Sequence, residues 1–244
     1  MQSIGRTDIG RLRSNNQDAF VCGKLAADVP FAIVCDGMGG ANGGNIASAI
    51  AIRTIAGRLV SSYRQNMTMA SMQRVLESAI AAANVAVYDE AAASAELRGM
   101  GTTLVMAVVM EERVLIAHIG DSRAYVITQD HTIEQITKDH SVVQQMLERG
   151  QITPEEAKNH PRRNFITRAL GVSDTVACDF SEFVLPEGAK VMLCTDGLSG
   201  MVDIDQMKEI AASCREAELP DRMIAAANRA GGSDNITVAL ITRG

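Results

Sequence analysis

The sequence lacks the features that would mark a membrane, nucleic-acid-binding or disulfide-built protein. No apolar stretch reaches the roughly 18 residues that a membrane-spanning helix needs. The opening segment, MQSIGRTDIGRLRSNNQD, is polar and charged where a signal sequence would be apolar. No lysine or arginine run occurs and the net charge is −6, so the basic footprint that nucleic acid requires is missing. The five cysteines include no CxxC pair, and Cys35 and Cys194 fall in apolar runs. They read as reduced core thiols in a reducing, cytoplasmic compartment, not as a disulfide or zinc framework. No Pro/Gly/Ser-rich linker, internal repeat or low-complexity tract divides the chain, which predicts one domain over residues 1–244. Three phosphate-handling signatures are also absent: the GxxxxGK[ST] loop, a Cys-(five residues)-Arg loop and a DxDx(T/V) nucleophile. What remains is 47% hydrophobic and 21% charged, the balance of a globular chain with a real core.

Periodicity divides that core into segments. Short β-like runs at 19–22 and 31–35 precede two helical stretches. In the first, Ile46, Ile50, Ile52, Ile55 and Leu59 spread around the surface and predict a well-buried helix. In the second, Met72, Val75, Leu76, Ala79, Ile80, Ala83 and Val87 follow the i, i+3, i+4, i+7 pattern of an amphipathic helix. Runs rich in β-branched residues at 102–110, 113–119, 124–128 and 133–136 predict an antiparallel meander. A polar excursion follows. Ser141 can cap a helix over 141–149, Gly150 can end it, and Thr153-Pro-Glu-Glu156 is a capping box with proline at the first helical position. Strands at 176–184 and 189–194, helices at 203–213 and 220–230, and a strand at 236–242 complete the chain. Segregated helices without β-α-β alternation predict an α+β layered sandwich.

One pattern carries chemistry. Asp36 ends FAIVCDG, Asp121 ends LIAHIGDS, Asp196 ends VMLCTDG, and Asp234 stands just before the last strand in GGSDNITVAL. Each is a carboxylate delivered by an apolar strand to a glycine-containing turn. Any one of them could be a simple turn former. Four, with no Lys or Arg beside Asp36, Asp196 or Asp234 in sequence, point to a shared counter-charge, and hard divalent cations supply it. Gly37 could add its carbonyl. No His lies in these turns, so Mg²⁺ or Mn²⁺ suits the site better than zinc or copper. Of the histidines, His118 in its apolar strand reads as a satisfied core residue; His131 and His140 carry no signal.

These motifs, in order along the whole chain, resemble the metal-dependent protein phosphatase (PPM) family, the type 2C serine/threonine phosphatases in their bacterial form. The markers are RSNNQD at 13–18, VCDGMGG at 34–40, GTT at 101–103, GDSR at 120–123, NFITRALG at 164–171, TDG at 195–197 and GSDNIT at 232–237. The resemblance implies a four-layer α-β-β-α sandwich, two mainly antiparallel sheets flanked by helix pairs. It implies two core Mn²⁺ or Mg²⁺ ions and a third, weaker one. Asp36 would bridge the core ions, with the Gly37 carbonyl on one; Asp196 and Asp234 would hold the other, and Asp121 with Asp196 the third. Asp18 would orient metal-bound water, Arg13 would grip the substrate phosphate, and 141–171 would form a flap in which His160 is a candidate substrate contact. The activity implied is hydrolysis of phosphoserine and phosphothreonine on proteins, opposing a cognate Ser/Thr kinase; composition points to a cytoplasmic protein without nucleic-acid or membrane partners, and a monomer is the default expectation. The alternative is a non-catalytic, phosphoprotein-binding pseudophosphatase. The chain departs from the family in two places. Gln17 stands where many members have Glu, and Met38 where the animal enzymes carry a His.

Overall fold

The computed structural model describes residues 2–243. The chain opens with β1 (Gln2–Asp8), a polar strand that hydrophobic alternation does not reveal and that the sequence reading missed. β2 (Asp18–Leu25) and β3 (Val29–Met38) pair antiparallel, followed by α1 (Gly40–Ser62) and α2 (Met69–Ala93). The predicted 102–110 strand is broken into β4 (Gly101–Thr102) and β5 (Leu104–Met110), because Thr103 turns out of the ladder to hydrogen-bond the end of β3. β6 (Arg113–Ile119), β7 (Arg123–Ile127) and β8 (Ile133–Gln135) continue the meander. The polar excursion holds α3 (Val142–Glu148), capped by Ser141, and α4 (Pro154–Lys158), whose Thr153–Glu156 capping box forms as expected. Then come β9 (Asp179–Val184), β10 (Lys190–Cys194), the single turn α5 (Asp196–Ser199), α6 (Ile204–Ser213), α7 (Leu219–Arg229) and β11 (Ile236–Thr242).

The strands form two antiparallel sheets. One runs β1-β11-β10-β7-β8, the other β2-β3-β5-β6-β9 with β4 beside β3. The two-residue period of each strand sorts its side chains between layers. In β3, Phe31, Ile33 and Cys35 face α1 and α2, while Ala32 and Val34 face the other sheet; Leu104, Met106 and Val108 of β5 divide from Val105, Ala107 and Val109 in the same way. The sheet-to-sheet layer is largely Ala and Val, with Ile116, Leu193 and Ile241. A third core packs α6 and α7 on the outer face of β10 and β11. The result is the α-β-β-α sandwich the sequence implied. One detail corrects the reading of α1. Its buried stripe is Ala47, Ala51, Ile55 and Leu59, while Ile46, Ile50 and Ile52 are only half-buried at its margins. Small residues at i and i+4 let the helix lie close to β3 and α2.

Candidate metal centre

Both sheets end in carboxylates at the same edge. β3 is buried to its last turn and delivers Asp36 and Gly37; in the β2–β3 ladder, Asp18 lies directly opposite Asp36. Asp121 sits in the turn after β6, Asp196 begins α5 just past β10, and Asp234 precedes β11. Asp36, Asp121, Asp196 and Asp234 line one cleft of about 520 Å³ with Gly37 and Arg13. The fold therefore brings together every predicted metal-binding residue. Two close approaches depend on glycine: a Cβ on Gly37 would stand 2.0 Å from the Gly44 carbonyl oxygen, and one on Gly197 1.9 Å from that of Asn235. α1 starts at the cleft, where Gly39 and Gly40 form part of its wall, so the positive end of the helix dipole faces it.

Backbone and hydroxyl contacts fix this edge. Thr103 Oγ1 accepts the Asp36 N–H at 2.9 Å and lies 2.7 Å from Ser122 Oγ, tying the Asp36 strand to the Asp121 turn. Thr195 Oγ1 and Thr237 Oγ1 donate to Asp18 Oδ2 at 2.9 and 2.7 Å. Asn235 accepts the Gln17 N–H and donates to the Ile9 and Asn15 carbonyls, lashing the segment that carries Arg13 and Asp18 to the segment that carries Asp234. Thr103 and Asn235 carry no ionisable group and stand out in sequence only as members of the GTT and GSDNIT motifs.

The electrostatics are those of crowded negative charge. Burial, then the charges of Asp18, Asp196, Asp121 and Asp234, hold the Asp36 carboxyl well above the usual carboxylate range. Burial is also the main cause at Asp18 and Asp121, both pushed up to about 7. Asp196 rises by burial and by the charge of Asp234. Asp18 Oδ1 and Asp196 Oδ1 are buried with no hydrogen-bond partner. Unpaired buried carboxylate oxygens are costly, and a hard cation satisfies them. Cleft donors that are all oxygens fit Mg²⁺ or Mn²⁺. The carboxylates line the cleft without closing on one point. Among the described residues no three His, Cys, Asp or Glu side chains stand close enough to cage an ion as they are. Asp234 Oδ2 is held instead by Arg13 Nη2 at 2.7 Å, and the Arg13 side chain is 51% exposed, so this pair is weak and exchangeable.

The remaining predicted residues are placed as follows. His160 ends the α4 segment, where its Nδ1 accepts the Arg162 N–H; it does not line the cleft, and the excursion contributes Asn164 and Ile166 instead. Met38 lines the cleft and offers no proton. Arg123 pairs with Asp139 at 2.7 Å and does not line the cleft. His118 is buried as expected, but its Nε2 finds no partner, so it is not a fully satisfied core histidine. A larger groove of about 730 Å³, bordered by Tyr63, Met67 and Glu111, lies at the opposite ends of the strands and holds none of the motif residues. The chemistry belongs to the smaller cleft. The five cysteines are free, and among the described residues no helix is long and apolar enough to cross a membrane.

A family profile described as Protein phosphatase 2C matches residues 9–230. The serine/threonine phosphatase stp of Listeria monocytogenes is 39% identical over 100% of this chain and 96% of its own length. The crystal structure of serine/threonine phosphatase Stp1 from Staphylococcus aureus superposes with a TM-score of 0.92 at 33% identity, covering 99% of this chain and 95% of that one. The catalytic domain of the serine/threonine protein phosphatase PstP, solved in complex with two manganese ions, gives 0.84 at 33% identity over 98% and 96%.

Proposed function

Because this chain belongs to the protein phosphatase 2C family, we propose that its cleft of aspartates is the metal centre of its phosphatase reaction. The protein is a serine/threonine phosphatase that acts on phosphoproteins. The observation that carries the site assignment is the convergence of Asp36, Asp121, Asp196 and Asp234 on one cleft, with a buried oxygen of Asp196 unpartnered. Asp36 and the Gly37 carbonyl would hold one ion, Asp36, Asp196 and Asp234 a second, and Asp121 with Asp196 a third, weaker one. Manganese fits because the PstP relative carries two such ions, and magnesium shares its oxygen preference. Bound there, the ions supply an activated water and neutralise phosphoryl charge.

The chain's own residues do the rest. Arg13 stands half-exposed at the cleft, able to exchange Asp234 for a substrate phosphate, which its guanidinium can grip through two parallel hydrogen bonds. Asp18, fixed by Thr195 and Thr237 behind Asp36, orients the centre from below. Asn164 and Ile166 put the flap of 141–171 against the substrate side. Among the described residues no His, Cys or Lys lines the cleft, which supports water as the source of the proton for the departing seryl or threonyl oxygen. A single domain acting as a monomer in the cytoplasm, opposite a Ser/Thr kinase, completes the reading; the free cysteines suit a reducing compartment. A non-catalytic binding module has no observation in its favour.

The test is manganese-dependent phosphate release from a phosphothreonine peptide, with Asp36→Asn and Asp234→Asn beside the wild type. Loss of about 10²-fold or more in both variants, and of all activity with chelator, is the expected result. Equal rates in wild type and both variants would remove the assignment.

A further inference from the structure

Directly behind the Asp121 turn lies a buried imidazole that the reaction as described does not use. His140 stands where the chain leaves β8 for the flap. Its backbone N–H donates to the Gly120 carbonyl at 2.7 Å, and its ring Nδ1 accepts the Gly120 N–H at 3.1 Å. Gly120 is thus gripped on both sides, and its carbonyl belongs to the peptide bond that carries Asp121. Gly120 has φ +105° and presses on Thr103, where a Cβ would stand 2.6 Å from the Thr103 methyl carbon. That same Thr103 holds the Asp36 N–H.

His140 is also the root of the flap. Its carbonyl accepts the Thr167 N–H at 2.7 Å, Ser141 pairs with Ile166, and the Val142 N–H donates to the Phe165 carbonyl at 2.9 Å. Ile166 is a wall of the cleft. The other ring nitrogen, Nε2, faces Asp179 Oδ2 at 3.1 Å, and Arg168 Nη1, on the flap's returning limb, donates to Asp179 Oδ1 at 2.7 Å. Nδ1 must be bare to accept from Gly120, so the hydrogen-bond pattern assigns the ring proton to Nε2, which donates it to Asp179. The 3.2 Å approach of Arg168 Nη1 to Nε2 is then donor against donor, tolerated because one carboxylate holds both. Burial keeps the imidazole neutral against the pull of Asp179.

We propose that His140, oriented by Asp179 and Arg168, is a positioning residue that locks the flap wall and the Asp121 turn into one unit. Where Ile166 stands and where the Asp121 carboxylate points are then set together. Asp179 lies on β9 with a half-exposed side chain and does not line the cleft, yet it acts on the centre through the ring. The functional half of this inference rests on reading the cleft as the hydrolytic site.

The test combines amide hydrogen exchange on the whole chain with steady-state kinetics on a phosphothreonine peptide at saturating Mn²⁺. The variants are His140→Ala, His140→Asn and Asp179→Ala, the last at an exposed position. His140→Ala and Asp179→Ala are expected to speed exchange in 118–123 and 164–170 together, to leave the sheet interior at 104–109 and 238–241 unchanged, and to lower kcat about 10- to 100-fold. His140→Asn, whose Oδ1 falls close to the Nδ1 position, is expected to restore slow exchange at 118–123 but not at 164–170. Exchange at 118–123 unaltered in Asp179→Ala, exchange raised throughout both sheets in His140→Ala, or linked exchange with unchanged kcat would each overturn the proposal. Linked exchange in a wild type that shows no metal-dependent phosphate release would instead sink the assignment of the cleft and leave the mechanical link standing.

Discussion

Arg13 and Asp234 meet at 2.7 Å, yet each is assigned to a different partner during turnover, and the exposure of the pair makes that exchange cheap. Arg13→Ala should therefore cost less than about 1 kcal/mol of stability, but lower kcat/KM for a phosphopeptide about 10- to 100-fold through loss of a charge-assisted contact. Urea unfolding and steady-state kinetics on the same preparation separate the two effects. Asp18 answers a different question. It stands opposite Asp36 and beside Thr195 without lining the cleft, so Asp18→Asn should weaken manganese binding about 10- to 100-fold while leaving the binding of a phosphate analogue through Arg13 in place. Manganese titration followed by calorimetry reads the first quantity directly. At this scale the aspartates that the fold brings to one cleft were legible because a carboxylate at the end of an apolar run conflicts with its surroundings. The roles of Thr103 and His140 were not, because what they do is set by partners 67 and 20 residues away. Nothing in a threonine or a histidine taken alone reports such a partner.

Elements whose order comes from their own side-chain pattern were readable, and those whose order comes from a neighbour were not. α2, α6, α7 and the flap's capping box stand where periodicity and capping place them. β1 has the sequence QSIGRTD, with little alternation to find, and exists because its whole length pairs with β11. β4 and β5 part company because of Thr103, a tertiary contact. Two substitutions test this division. Asp203 caps α6, its side chain accepting the Gln206 N–H at 2.8 Å, and lies away from the cleft. Asp203→Ala should destabilise the protein by about 1 kcal/mol in urea unfolding with kcat unchanged. Gly37→Ala should do the reverse of a silent change: a Cβ 2.0 Å from the Gly44 oxygen forces the start of α1 away from β3 at the cleft itself. Activity should be lost even where circular dichroism shows the fold retained.

For the molecule as a whole, the crowded carboxylates make stability depend on pH in a direction opposite to that of an ordinary salt-bridged acid. Asp18 and Asp121, with an ordinary value of 3.8, are pushed up to about 7, and Asp36 higher than usual as well. Each binds its proton more tightly folded than unfolded, so the stability it adds is complete below about 3.8 and is lost as pH rises through the folded value. The buried histidines act in the opposite sense, with His118 lowered to about 4 from 6.5, and their effect is complete by about 6.5. Between pH 6.5 and 8, chelator-treated protein should therefore lose thermal stability, manganese should restore it, and Asp36→Asn should flatten the slope. A melting temperature independent of pH over that window in chelator would refute the account. The topology adds a consequence of its own. β11, the last strand in the sequence, lies between β1 and β10, and β1 has no other partner in its sheet. Arg13 and Asp234, whose separation along the chain is 221 residues, meet only when it is in place. A chain with both helix pairs formed but β11 unplaced would lack this contact. The cleft proposed for hydrolysis therefore assembles late, once β11 is seated between β1 and β10.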